Sequence, residues 1–257
     1  LNYEKKNTNF SLGGAANRYD GQHYGKIIWV RNAANLDIGK DWHRSSSIKD
    51  DANIYAKLNT ETFKNLFASI DLQYRYINYR MDGTDDKYDK INQSMRDITQ
   101  QHIYHFFNPK FGLTWQPSTR NEFYASYSVS HREPNRNNFT EAGANERPTN
   151  ETLYDTEAGY RYRSSRFSAG TNFYYMKYKN QLILTGKISE IGEFLTTNIP
   201  DSYRAGIELT AGWKINNYLK WDGNCTFSRN KIKNFTEQDI YVYDENWKYI
   251  GKRNNEL

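Results

Sequence analysis

The sequence predicts an all-β protein built as an antiparallel meander, and three observations predict it. Apolar and polar residues alternate with a period of two along most of the chain, as side chains on the two faces of an extended strand must. The chain carries 22 Tyr, 13 Phe and 6 Trp, 16% aromatic in all, which suits a pleated, half-buried surface. The connections between alternating runs also come in two kinds, tight polar turns and long polar loops, and the two kinds take turns along the chain.

Taken in order, "LFASIDLQYRY" (66–76) sets Leu66, Ala68, Ile70, Leu72, Tyr74 and Tyr76 against Phe67, Ser69, Asp71, Gln73 and Arg75. "EFYASYSVS" (122–130), "YDTEAGYRY" (154–162) and "FSAGTNFYYMKY" (167–178) keep the same rhythm. "YRAGIELTAGW" (203–213) is the strictest case, and "LKWDGNCTFS" (219–228) follows it. These runs exceed the usual ~5–6 residues of a soluble strand and fit the roughly 9–11 tilted residues that cross a bilayer. No amphipathic helix competes, since "NTETFKNLF" (59–67) is too short.

Short polar turns are expected at 59–64, 116–121, 163–166 and 215–217, and long loops at 80–102, 131–150 and 181–202. A sheet whose two ends differ so consistently meets two environments, the pattern of an outer-membrane barrel with short periplasmic turns and long extracellular loops. The apolar rows would then face lipid, while Arg204, Glu208 and Thr210 face a wet lumen. Tyr203, Trp213, Trp115 and Tyr178 would sit in interfacial girdles. The competing reading is a soluble β-rich protein, carbohydrate-binding or glycan-processing, which expects shorter strands and no asymmetry between the ends.

Charge and special residues narrow the function. The net charge of +5 is spread without a basic block, so no nucleic-acid partner is expected. The single cysteine, Cys225, forbids an intrachain disulfide and sits in phase with the apolar residues of its strand. No apolar run is long enough for a membrane helix. The chain opens on Leu1 without a signal peptide, and we expect a mature or excised piece of something longer. The five histidines are scattered, with no Ser/His/Asp order or phosphate cradle. We therefore expect no catalytic residues, no cofactor and no enzyme.

The order of short motifs resembles a known family. "FFNPKFGLTWQ" (106–116) precedes "NEFYASYSVSHREPNRNNF", "NETLYDTEAGYRY", "TNFYYMKYKNQLILTGKI", "TTNIPDSYRAGIELTAGW" and "FSRNKIKNF". This succession is similar to the C-terminal portion of the β-barrel of TonB-dependent outer-membrane receptors, especially those of Bacteroidota. The matching residues are Arg132, Glu133, Pro134, Glu157, Gly159, Tyr160, Tyr178, Gln181, Leu182, Asn198, Ser202, Arg204, Gly206 and Glu208, and "GGAANRYDGQHYGKIIW" (13–29) also looks like receptor-barrel sequence. The resemblance implies about ten to twelve strands here, about half of a 22-stranded transmembrane barrel, with residues 1–257 a partial barrel domain lacking the plug and the final strands. Open sheet edges would then need partners. It further implies an outer-membrane receptor that imports a scarce substrate with TonB-coupled energy. Iron–siderophore or haem is expected first, with cobalamin or a glycan behind. The implied partners are TonB, the receptor's own plug, the outer-membrane bilayer and a small molecule such as an iron chelate.

Site residues follow from that frame. In "NRYDGQHYG" (17–25), Asp20 and His23 stand three apart beside Tyr19 and Tyr24. Two ligands without a third define no metal site, so the ordinary reading is a tyrosine-flanked turn and the functional one is contact with an incoming ligand. Arg132 and Arg136 open the 131–150 loop and suit an anionic substrate at the outer rim, although Arg132 and Glu133 read equally well as a solvated pair. Asp155 and Glu157 share a polar face, and with Arg204 and Glu208 they are expected to line the lumen and meet the plug rather than act as an acid–base pair.

Overall fold

A computed structural model describes residues 1–31, 38–89, 92–140, 142, 147–188, 194–233, 240–243 and 249–253. Its strands are β1 (Asn2–Lys5), β2 (Thr8–Lys26), β3 (Asp41–Phe63), β4 (Leu66–Asp89), β5 (Ser94–Asp97), β6 (Gln100–Ser118) and β7 (Asn121–Arg132). A single helical turn, α1 (Arg136–Thr140), precedes β8 (Glu151–Arg163), β9 (Phe167–Ile188), β10 (Phe194–Lys214) and β11 (Lys220–Lys233), with β12 (Ile240–Tyr243) and β13 (Tyr249–Arg253) beyond. Eleven strands form one meander in the order β1-β2-β3-β4-β6-β7-β8-β9-β10-β11, with β5 folded against β4, while β12 and β13 pair with each other. The all-β expectation holds. Among the described residues no helix is long and apolar enough to cross a membrane.

The elements differ from the sequence reading at their ends. Residues 59–63 continue β3, and the turn narrows to 64–65, where Asn65 takes a positive φ and donates its amide to Glu61 Oε1 at 2.8 Å. Most of 80–102 and 181–202 is strand rather than loop, and 13–25 lies wholly within β2. Polar composition misled here, because a backbone ladder in water closes without any apolar rhythm. The short turns near 119–120, 164–166 and 215–219 fall where expected.

The chain divides into two compact units, Leu1–Leu58 with Asp71–Pro109, and Asn59–Ile70 with Lys110–Leu257. In the first, Ile77, Tyr79 and Met81, alternate residues of β4, are buried together with Ile98 and Phe106. Asp85 is buried on the same strand and is held by the Arg96 guanidinium of β5. A small core thus seals the end of the sheet where β5 folds back.

In the second unit the register fixes two faces. Trp213 pairs with Phe167 and with Trp221, Leu209 with Thr171 and Cys225, and Tyr203 with Lys177 and Lys231. Between its aromatic rows this face is largely apolar yet open: Phe173 is 50% exposed, Trp213 51% and Phe227 63%. A soluble protein would bury so continuous an apolar surface. Near the short turns the aromatics line up, with Trp115 on Phe123 at 5.5 Å, Phe123 on Tyr160 at 4.8 Å and Tyr162 on Phe167 at 6.2 Å. A second row holds Tyr175 against Tyr203 at 5.9 Å. Trp213 and Tyr203 stand ten residues apart on β10, about 34 Å at ~3.4 Å per residue. A strand tilt of ~35–45° reduces that to the ~25 Å apolar band of an outer-membrane barrel. Trp115, Trp213 and Tyr203 thus occupy the girdle positions expected of them, and Cys225 lies exposed on the same face. Tyr178 does not. It pairs with Ser202 and lies under the Arg204 guanidinium on the polar face, since aromatic character alone says nothing of strand parity.

Glycines on the polar face give neighbouring rings room to lie flat. A Cβ on Gly159 would strike the Tyr124 ring and approach Thr171 O at 2.5 Å, whereas one on Gly170 would meet only the Thr210 hydroxyl closely, at 2.8 Å. Gly159→Ala is expected to lower the unfolding free energy by about 1–3 kcal/mol, because a backbone oxygen cannot swing aside. Gly170→Ala should be near neutral. Urea unfolding in vesicles distinguishes them, and equal midpoints would contradict this packing.

Candidate functional site

The polar face of the second unit carries the densest side-chain network. Tyr124, Gly159, Asn172, Glu208 and Thr226 face one another across five strands. Because Gly159 has no side chain, Tyr124 reaches over it and donates its hydroxyl to Asn172 Oδ1 at 2.9 Å. The Asn172 amide nitrogen then lies 3.4 Å from both Glu157 Oε2 and Glu208 Oε2. Arg161 lies over the Tyr124 ring at 4.3 Å and donates to Glu122 Oε1 at 2.6 Å. Together with Asp222 and Asn224 these groups line a hollow of about 660 Å³. Its chemistry is that of a wet, hydrogen-bonding wall. An amide separates the carboxylates, which therefore do not form an acid–base pair.

Of the residues expected at the lumen, Glu157 and Glu208 meet through Asn172. Asp155 shares their face, paired with Ser128 and Met176, and its Oδ1 is buried without a hydrogen-bond partner. Arg204 lies over the Tyr178 ring at 5.3 Å. Sequence reasoning did not single out Tyr124, Asn172, Arg161 or Asp222; the signal available was their parity with Glu157 and Glu208 along paired strands.

Beyond the girdle the described residues between β7 and β8 are tied down by residues of the family-like motif. Asn198 accepts from the Thr149 amide at 2.9 Å and donates to Thr149 O at 3.0 Å and to Asn180 O at 2.6 Å. Asn180 itself takes a positive φ. Ser202 donates to Gln181 Oε1 at 2.7 Å, and Asn138 of α1 donates to Thr196 Oγ1 at 3.2 Å. Phe139, Pro134 and Ile199 are buried in the same unit. Arg132 pairs with Glu151 at 2.9 Å, not with Glu133, and the same carboxylate accepts the Leu182 amide at 3.1 Å. The reason is geometric: sequence neighbours at a strand end diverge, while Arg132 and Glu151 stand opposite each other in the ladder. Arg136 opens α1.

The N-terminal candidates belong to the first unit. Alternation along β2 sets Tyr19 and His23 on one face and Asp20 and Tyr24 on the other. Tyr19 Oη lies 3.5 Å from His23 Nε2, whereas Asp20 and His23 diverge and share no site. On the opposite face Tyr24 lies under the Arg44 guanidinium at 4.8 Å, and Arg44 donates to Gln22 Oε1 at 2.7 Å and to Asp41 at 2.5 Å. The Arg44 hydrogen bond holds the Asp41 carboxyl below its usual range. Hydrogen bonds from Thr99 do the same for Asp97. Among the described residues no three His, Cys, Asp or Glu side chains gather as a metal site.

A two-faced antiparallel meander with an exposed apolar band between aromatic rows is the wall of a transmembrane β-barrel. The family model for the TonB dependent receptor-like β-barrel matches residues 1–255, and the chain belongs to that family. It thereby belongs to the bacterial outer membrane and to a family of receptors, not enzymes. No curated protein sequence matches it. Among solved structures it is similar to the FrpB iron transporter from Neisseria meningitidis (15% identity, TM-score 0.62, covering 90% of this chain and 34% of that one). It is also similar to the ferric-catecholate import receptor Fiu from E. coli K12 (13%, 0.63, 91% and 37%) and to the copper transporter OprC (13%, 0.69, 90% and 36%). At such identities the likeness concerns the fold, and the chain spans about a third of the length of these receptors.

Two outcomes test the tied-down end. Removing the Asn198 side chain leaves Thr149 and Asn180 without their shared partner, so Asn198→Ala should make the 133–150 connection several-fold more sensitive to protease while the sheet signal in circular dichroism persists. The second outcome concerns pH. Burial holds the His102 imidazole below its ordinary range, and its Nε2 lies 2.8 Å from Gln100 Oε1. The folded state therefore prefers neutral His102. Its contribution is intact above the unfolded pKa of ~6.5 and fades as pH falls through that value, because only the unfolded segment gains the proton. The protection factor at the start of β6, that is, exchange corrected for its intrinsic pH dependence, should fall from pH 7.5 to 5.5 (about one unit either side of that pKa) and become flat in His102→Gln.

Proposed function

We propose that this chain is part of the barrel wall of a TonB-coupled importer, covering roughly half of a 22-stranded barrel and treated as one partial barrel domain over 1–257. The observation that carries the reading is the division of one sheet between an open apolar band bounded by aromatic rows and a hydrogen-bonded polar face centred on Asn172. The first is a surface for lipid, the second a wall for water and for a second protein body. We assign Asp155, Glu157, Arg204 and Glu208 to contact with the receptor's own plug. The buried, unpartnered Asp155 Oδ1 supports this, because an acceptor so placed stands ready for a donor from outside the sheet. TonB would act through that plug.

The long-ended side of the sheet is assigned to the cell exterior and the short turns to the periplasm. Tyr19, Asp20, His23, Tyr24, Arg132 and Arg136 are then our candidates for the outer mouth. The opposite facing of Asp20 and His23 makes them separate contacts rather than one site. An iron chelate, siderophore or haem is the substrate class favoured, in keeping with the iron and ferric-catecholate receptors of similar fold; cobalamin and glycans rank behind. The order of motifs supports a Bacteroidota-type receptor.

The test is growth of a strain dependent on the full-length receptor, with iron chelates as sole iron source, in the presence and absence of TonB. Growth independent of both would overturn the reading. Arg132→Gln with Arg136→Gln should lower uptake of an anionic chelate by about tenfold, the scale of one or two lost charge-assisted contacts, while leaving the receptor in the membrane. Glu208→Ala should instead loosen plug seating, read as increased small-solute leakage. Reagents that reach the 164–166 turn on intact cells but not the 133–150 connection would invert the orientation.

A further inference from the structure

The apolar face of β8–β11 does not end at its outer aromatic row but runs into a belt of cations. Lys177 pairs with Tyr154 and Tyr203, and Tyr203 pairs in turn with Lys231. One step further out Lys179 and Lys233 flank Asp201, and one step inward Arg229 pairs with Ala205. Lys177, Lys179, Arg229, Lys231 and Lys233 therefore share the face that carries Phe173, Leu209 and Trp213, at the height of the Tyr175–Tyr203 row and just beyond it. Asp201 is the only carboxylate on those rows of β8–β11.

Three arginines of the polar face are partnered: Arg132 with Glu151, Arg161 with Glu122 and Arg204 with the Tyr178 ring. Among the described residues, none of the five belt cations has a carboxylate within ion-pair distance. Lys179 and Lys233 instead lie over the Tyr154 and Tyr203 rings, each at 5.9 Å, with their stems along the aromatic row as interfacial lysines do. A lysine or arginine on the lipid side is costly at the bilayer midplane and nearly free at the interface. The aromatic row marks the interface, so this belt lies at headgroup height. Strands β9 and β11 flank β10, which sets their cation rows about 10 Å apart, a spacing that admits one phosphorylated headgroup between them.

From this geometry we infer that Lys177, Lys179, Arg229, Lys231 and Lys233 form a binding surface for phosphate-bearing lipid headgroups of the leaflet at the long-ended side of the sheet. The inference rests on the apolar face being lipid-facing, not on the substrate or on TonB coupling, so a failed uptake experiment leaves it standing. Anionic lipid held there would anchor the receptor's height in the bilayer and shield repulsion among the five cations.

The experiment uses the full-length receptor, extracted from outer membranes in mild detergent, with retained phosphorylated lipid counted by native mass spectrometry. The variant carrying Lys177→Gln, Lys179→Gln, Arg229→Gln, Lys231→Gln and Lys233→Gln should retain at least about tenfold less, because the attraction of a basic residue to an anionic surface is lost five times over. Should it fail to fold, the pairs Lys177→Gln/Lys179→Gln and Lys231→Gln/Lys233→Gln are read by the same count, each with a partial loss expected. Exchange of the four lysines for arginine should preserve retention. Equal retention by the wild type and folded Gln variants would overturn the inference. So would displacement of the lipid by excess inorganic phosphate, which would make the belt a site for free anion.

Discussion

Every level of this structure depends on one constraint: in hydrocarbon, a peptide group finds no water, so each strand must satisfy its neighbours completely. The ladders that unite β7 through β11 run without a break in register from the short turns to beyond the second aromatic row. Because pairing is fixed, parity is fixed, and one choice of register decides the face of every side chain. Glu157 and Glu208 meet at Asn172 for that reason, and Tyr124 finds Gly159 opposite it. The polar network and the apolar band are two readings of the same ladder.

The period of two is also why so much was legible in the sequence. Where one face meets lipid and the other water, alternation is enforced, and the strands from 122 to 228 could be placed from it. Past the girdle the enforcement stops. Residues 80–89 remain strand, yet no lipid face enforces alternation there, so their composition reverts to polar and reads as loop. Parity explains the side-chain misreadings as well. Asp20 and His23 look adjacent in sequence but leave β2 on opposite faces, and Tyr178 looks like a girdle residue but carries the polar-face parity. Arg132 chose the residue opposite it in the ladder over the one next to it in the chain.

The motif residues acquire distinct physical duties in the structure. Asn198 joins a loop to a strand whose neighbour, Asn180, adopts a left-handed backbone. Ser202 fixes Gln181, Gly206 leaves space for the Tyr174 ring, and Glu208 shares Asn172 with Glu157. None of these is a chemical group in the catalytic sense. Asn198 and Ser202 hold the outer ends of the strands and the residues beside them, while Gly206 and Glu208 belong to the polar wall.

The rings laid over glycine carry a consequence for whatever moves along that wall. A tyrosine standing out from a sheet sweeps a volume, and a body sliding past must freeze that sweep at each step. Tyr124, flat over Gly159 with its hydroxyl engaged by Asn172, has already given up its rotational freedom on folding. The wall therefore resembles a paved surface rather than a brush. Any body sliding over it would displace little side-chain entropy, and the friction it met would be set by the making and breaking of hydrogen bonds at fixed heights.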